Sequence, residues 1–231
     1  MSVFKIDRMP GLFHRRVYFL ALVMLMSVVV SAAQTSDETA TSSDRQTIAM
    51  IGAGNVGSAL GTLWAAAGYH VIFATRHPDE LDNTVERAGH GAQASAVGPA
   101  IEQADIIALA VPYKAEPAIA EQYGASMQNK ILVDANNAFP GRDGVIADRA
   151  ERMGEAAYSA QLFDGTRFIR AFNMISASQY PAPDRLDTAD FDVVYTTNDA
   201  SVRATAEALI RATGGRPVYK GELANAPEYE F

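Results

Sequence analysis

Gly52-Ala53-Gly54-Asn55-Val56-Gly57 spells G-x-G-x-x-G. It lies directly behind the apolar run Thr47-Ile48-Ala49-Met50-Ile51 and ahead of Leu60, Leu63, Trp64 and Ala67 at helical spacing. A strand that turns through this motif into a helix forms a cradle for a pyrophosphate. Gly52 permits the tight turn. Gly54 lets the anion reach the backbone where a Cβ would block it, and Gly57 lets the helix pack close to the strand. Free N–H groups at the helix start, with the helix dipole, hold the charge, so the whole stretch including Ala53, Asn55 and Val56 is assigned to cofactor binding. The end of the next strand selects the dinucleotide. An NAD site needs an acid there for the ribose 2′-hydroxyl, but Thr75-Arg76-His77 stands in its place and no acid comes before Asp79. Arg76 lies 19 residues after Gly57. Its guanidinium suits the 2′-phosphate of NADP, with the Thr75 hydroxyl as a second donor.

Other chemistries lack their residues. The chain has no cysteine, which excludes disulfides, thiolate metal sites and a Cys nucleophile. Its four histidines (14, 70, 77, 90) are scattered, without metal-ligand spacing or a Ser-His-Asp context, and there is no Tyr-x-x-x-Lys. No metal is therefore expected. A net charge of −8 over 231 residues argues against nucleic acid, which needs clustered Lys and Arg. The acidic residues read as a solvated surface. Tyr113-Lys114 reads as a solvated loop pair or as a donor near the site.

The elements that must position the loop follow from apolar runs. His70–Ala74, a weak Gln93-Ala94, Ile106–Val111, Ile131–Asp134, Phe168–Ala171, Asp192–Thr196 and Pro217–Lys220 read as further strands. Helical spacing is expected over 78–88, 98–104, 115–123 and 202–213. Continuous apolar strands alternating with helices predict an α/β, doubly wound, mostly parallel sheet.

That domain is expected to span 47–231. Before it, Gln34–Gln46 is rich in Ser, Thr and Asp and reads as a flexible linker. Residues 1–33 carry +3, leaving −11 on the rest, and place a basic stretch before Val17–Val30 and then Ser31-Ala32-Ala33. That is the layout of a secretory signal peptide, with a membrane anchor over 17–33 as the alternative. Arg15-Arg16 also fits a twin-arginine signal. The expectation is export to the periplasm, with membrane association only if the segment is retained.

With these residues in view, the chain resembles the NADPH-dependent coenzyme F420 reductase family. Its relatives include the nucleotide domains of pyrroline-5-carboxylate reductase and the six-transmembrane metalloreductases. The matching stretches are IAMIGAGNVGSALGTLWAAAGYHVIFATRHP (48–78), ALAVPYKA (108–115), ILVDANNAFPGRDG (131–144), GTRFIRAFNMI (165–175) and VYKGELANA (218–226). The resemblance implies a Rossmann domain that binds NADP(H) and passes hydride to a stacked flavin- or deazaflavin-like ring, a small-molecule acceptor. It sets Thr75 and Arg76 at the 2′-phosphate, Val111 and Pro112 beside the ribose and nicotinamide, and Ala135 and Asn136 near the nicotinamide. It sets Asn137, Phe172, Asn173 and Met174 on the acceptor side. Read from the residues alone, Asn136 and Asn137 also suit a turn after a strand, Asn173 a local cap, and Phe172 and Met174 the core. Hydride transfer between rings needs orientation, so no catalytic acid or base is assigned.

Family members continue past the ELANA-like stretch, whereas five residues follow Ala226 here, so a shortened acceptor side is expected. Two other readings stay open. One is an NADP-binding module or redox sensor without turnover. The other is a reductase of a small imine or carbonyl compound. A homodimer is also left open.

Overall fold

The computed structural model describes Met1 and residues 45–230; the expected leader and nearly all of the linker lie outside them. The described residues form one eight-stranded sheet in the order β3-β2-β1-β4-β5-β6-β7-β8. The strands are β1 Thr47–Ile51, β2 His70–Thr75, β3 Gln93–Ala96, β4 Ile106–Leu109, β5 Ile131–Asp134, β6 Arg167–Ala171, β7 Asp192–Thr196 and β8 Arg216–Tyr219. All neighbours run parallel except β6 and β7, which pair antiparallel through Arg170–Thr196 and Ala171–Tyr195. The expected doubly wound, mostly parallel Rossmann architecture is what the chain adopts.

Alternation within β1 shows why these runs are apolar throughout. Ile48 and Met50 join a core with Leu60 and Trp64 of α1 (Asn55–Ala66) and with Leu209 and Ile210 of α8 (Arg203–Arg211). Ala49 and Ile51 face the other way, toward Ala100 and Ile101 of α3 (Val97–Gln103) and Met127 of α4 (Glu116–Met127). A strand covered on both faces has no polar side to show. The Trp64 indole N–H donates to the Leu209 carbonyl at 3.0 Å, joining α1 to α8.

Two regions depart from expectation. The helix expected over 78–88 is a 3₁₀ turn, Pro78–Leu81, followed by α2, Asp82–Ala88. Between β5 and β6, where no helix is expected, stand α5 (Pro140–Asp143), α6 (Val145–Met153) and α7 (Glu155–Leu162). Glycines at 144 and 154 cut this stretch into pieces too short to display a clear 3.6-residue period. Among the described residues, no helix is long and apolar enough to cross a membrane.

Candidate functional site

The parallel strands β1, β2, β4 and β5 all end on one edge of the sheet, where ligands bind in open α/β folds. The glycine motif begins at that edge. Gly52 has φ +98°, and a Cβ there would sit 2.3 Å from the Ala110 carbonyl oxygen. A Cβ on Gly57 would stand 1.9 Å from the Gly52 oxygen. These two glycines are required by the fold itself. Gly54 differs: a Cβ there would meet nothing within 4 Å. It starts α1 without any side-chain cap, and no acid occupies the first turn.

Two clefts open along the edge and share Val111 and Pro112 as a wall. The larger, about 550 Å³, runs past Gly52 and Ala74 to Thr75, Arg76, Lys114 and Tyr123. Among the described residues lining it, Arg76 and Lys114 are the cations and none is a carboxylate. Arg76 is exposed and pairs with no other described residue. The Thr75 hydroxyl accepts from the His77 N–H at 3.4 Å. The smaller cleft, about 240 Å³, is bounded by Gly54, Asn55, Val56, Ala135, Asn136 and Asn137, with Phe139 and Arg142 at its rim.

Of the residues expected at the nicotinamide end, Ala135 lines this cleft, but the Asn136 side chain is wholly engaged in the protein. Asn136 is 3% exposed. Its Oδ1 accepts from the Val111 N–H at 2.7 Å, and its Nδ2 donates to Glu116 Oε1 at 2.6 Å. It thus ties the loop after β4 to the loop after β5. Asn137 donates through Nδ2 to the Asn173 carbonyl at 2.8 Å, while its buried Oδ1 has no partner.

The expected acceptor-side residues differ in exposure and partners. Phe172 is 2% exposed and packs edge-on against Trp64, with ring centroids 5.7 Å apart. It packs in the core, the alternative that the residues alone allowed. Its φ of +68° is rare for a residue with a side chain. Asn173 is neither a free acceptor contact nor a local cap. It is buried and donates to the Tyr229 carbonyl at 2.9 Å, fastening the C-terminal turn Leu223–Tyr229. Met174 alone of this set is exposed.

Acidic residues are not all a solvated surface, and Tyr113 is not a solvated loop residue. Under the smaller cleft lies a buried charged network. Arg170 pairs with Asp134 at 2.6 Å and with Glu155 at 2.6 Å, and its Nε lies 3.6 Å from Glu230. Glu230 also accepts from the Glu155 and Ala156 N–H groups at the start of α7. Glu116 accepts from Ser159 Oγ at 2.6 Å, and Ser159 shares a 2.8 Å hydrogen bond with the Tyr113 hydroxyl. Tyr113 donates in turn to the Glu155 carbonyl at 2.7 Å. The signal in the sequence was Asp134 and Arg170, opposite charges inside mostly apolar strands; they pair directly across β5 and β6.

Glu116 is fully buried, and among the described residues no cation pairs with it. Burial, and secondarily the Asp134 charge, hold its carboxyl well above the ordinary glutamate value. Its proton is therefore held more tightly in the folded state. Stability from this group is complete below the unfolded value of 4.5 and is lost as pH rises through the folded one. Glu116→Gln keeps the bond from Asn136 on its oxygen and reverses the other, its Nε2 donating to Ser159 Oγ, without a titratable proton. The variant should match wild type near pH 4.5 and exceed it increasingly toward pH 8, read by urea unfolding. Parallel pH profiles would show that Glu116 is ionised in the fold.

Residues 47–138 match the family model described as NADP oxidoreductase, coenzyme F420-dependent. The F420-dependent NADP reductase of Methanothermobacter thermautotrophicus is 31% identical over 195 residues, covering 78% of this chain and 82% of that one. Metalloreductase STEAP3 of Rattus norvegicus is 27% identical over 187 residues, and the match spans 79% of this chain but only 35% of that longer protein. The crystal structure of the hypothetical protein SMa0349 from Sinorhizobium meliloti superposes with a TM-score of 0.68 at 30% identity, covering 81% of this chain and 90% of that one. The strand–glycine-loop–helix at the sheet edge, its cation-lined cleft and these matches together establish that the chain belongs to the coenzyme F420-dependent NADP oxidoreductases.

Proposed function

We propose that the chain binds NADPH across the two clefts and passes its hydride to a small flavin- or deazaflavin-like acceptor. The observation that carries this reading is the continuity of the clefts through Val111 and Pro112, which joins the Arg76 and Lys114 end to the glycine loop and the loop after β5. Three features fit the cofactor. The space around Gly54 lets a pyrophosphate lie against the backbone at the start of α1. Arg76 is an exposed cation suited to a 2′-phosphate. The unpartnered Oδ1 of Asn137 can accept from a carboxamide N–H. The chemistry NADPH supplies there is a hydride, and with one proton from water it reduces a two-electron acceptor. One relative is named for coenzyme F420 and another as a metalloreductase, which motivates testing both kinds of acceptor.

In this reading the protein orients the reactants. Asn136 fixes the Val111 backbone, the charged network fixes the β5 and β6 ends beneath it, and the apolar walls exclude water. The test is NADPH oxidation by the purified chain with FMN, coenzyme F420 and ferric citrate. Turnover with the ring acceptors is expected; NADPH binding without oxidation by any of the three would sink the reading in favour of a binding module.

Arg76→Ala supplies a second check. The variant should weaken NADPH binding by about 1.5–3 kcal/mol, the range for hydrogen bonds to charged groups, and hardly change NADH. Titration of each cofactor by its fluorescence measures this. Equal losses for both would remove Arg76 from the 2′-phosphate.

A further inference from the structure

Phe139 is 44% exposed. Among the described residues it is the aromatic member of the exposed large apolar set, which otherwise comprises Met1, Val145, Met153 and Met174. A single exposed apolar side chain needs no explanation. This one differs in its place and its mounting.

It stands at the rim of the smaller cleft, which Val56, Ala135 and Asn137 also line. Its backbone N–H donates to Asp143 Oδ2 at 2.9 Å, and the other oxygen of Asp143 accepts from the Lys114 N–H at 3.2 Å. Asp143 therefore clamps the loop after β5 to the loop after β4. The Arg142 guanidinium lies 4.9 Å from the Phe139 ring centroid. That guanidinium is itself held by Asp143 at 2.8 Å and by the Asn137 carbonyl at 2.6 Å. Burial opposes the Asp143 charge, but Arg142 and the Phe139 and Lys114 N–H groups outweigh it and hold the carboxyl below the ordinary range. The ring thus carries a cation over one face, and Asp143 ties its backbone to the loop after β4, at a cleft that both loops line.

We propose that Phe139, steadied by Arg142 and Asp143, is the platform on which the acceptor's conjugated ring stacks. The inference rests on the hydride-transfer reading and narrows its acceptor to a planar, conjugated class. Two electrons and one proton leave NADPH as hydride and form a bond to the acceptor ring; NADP⁺ remains, and a proton from water completes the reduced ring. Stacking on an immobilised ring costs little conformational entropy and is sensitive to planarity, so it discriminates ring acceptors from ferric chelates.

The test uses the full chain with Phe139→Ala and Phe139→Tyr. FMN binding is read by quenching of its own fluorescence, which needs no turnover. NADPH binding is titrated separately, and steady-state rates are taken with FMN and with ferric citrate. Phe139→Ala should raise the Kd and KM for FMN about tenfold while changing the Kd for NADPH far less, and Phe139→Tyr should restore FMN. An unchanged FMN Kd in Phe139→Ala, or equal losses for FMN and NADPH, would overturn the platform. So would a shift of Phe139→Ala to a smaller species on gel filtration with FMN binding intact, which would make Phe139 a contact between copies. Wild-type chain that binds FMN through Phe139 yet never oxidises NADPH would leave the platform standing and defeat the hydride reading.

Discussion

Arg170→Met should cost about 3–5 kcal/mol of stability, the range for removing one partner of a buried ion pair. Arg170 is 2% exposed, and its two terminal nitrogens each lie 2.6 Å from a carboxylate, Asp134 on one side and Glu155 on the other. Glu230 stands 3.6 Å from the third nitrogen. Methionine fills much of the volume but leaves three buried carboxyls facing one another. They can relieve that repulsion by taking up protons, so their folded pKa values rise above the unfolded ones. A group shifted that way loses stability as pH rises, and the deficit of the variant should grow from pH 5 to pH 8. Urea unfolding followed by circular dichroism at the two pH values measures both. A loss under about 1 kcal/mol at pH 8 would mean that water reaches the cluster and shields it.

The consequence reaches the site because of where the network sits. Asp134 closes β5, and its Oδ1 accepts from the Asn136 N–H at 3.0 Å. Asn136 in turn holds the Val111 N–H. Loss of Arg170 therefore loosens the chain of contacts that positions the wall shared by both clefts. A partly destabilised Arg170 variant should show weakened NADPH binding even at temperatures where it remains folded.

Local signals carried the nucleotide half of this architecture. The glycine spacing, the apolar runs and the basic residue after β2 each depend on neighbours in sequence, and each sits in the structure where periodicity and turn chemistry put it. The acceptor half depends on pairings distant in sequence. Phe172 follows an apolar strand and looked equally suited to a ring contact or the core; only the edge-on packing against Trp64, 108 positions earlier, decides for the core. Tyr113 follows Pro112 in what reads as a loop, yet it is buried through Ser159 and Glu155, more than 40 residues away. Glu116 opens a helix, a position that ordinarily faces solvent, and only the arrival of α7 over it makes it a buried carboxyl. Phe139 and Arg142 follow β5 with no local feature that shows Asp143 fixing them beside the cleft.

Gly54→Ala should leave the fold intact and weaken NADPH binding by about 3–6 kcal/mol, a hundredfold or more. The estimate corresponds to losing about two hydrogen bonds to a charged group at about 1.5–3 kcal/mol each. Gly54 has φ −71° and ψ −167°, extended backbone open to alanine, and its Cβ would meet no protein atom within 4 Å. The methyl group therefore costs the free protein almost nothing. What it fills is the space in which a pyrophosphate must lie to accept from the uncapped N–H groups of α1. Gly57→Ala is the contrasting control: its Cβ would overlap the Gly52 oxygen at 1.9 Å, so the helix must move away from the strand, at about 1–3 kcal/mol of stability. The two variants separate causes that a single glycine substitution confounds. Gly57→Ala should lower the melting temperature and weaken binding in step with it. Gly54→Ala should keep the wild-type melting temperature in the absence of cofactor and lose the rise that NADPH confers. If Gly54→Ala binds NADPH as wild type does, the anion does not approach the backbone there, and the open space at residue 54 belongs to solvent.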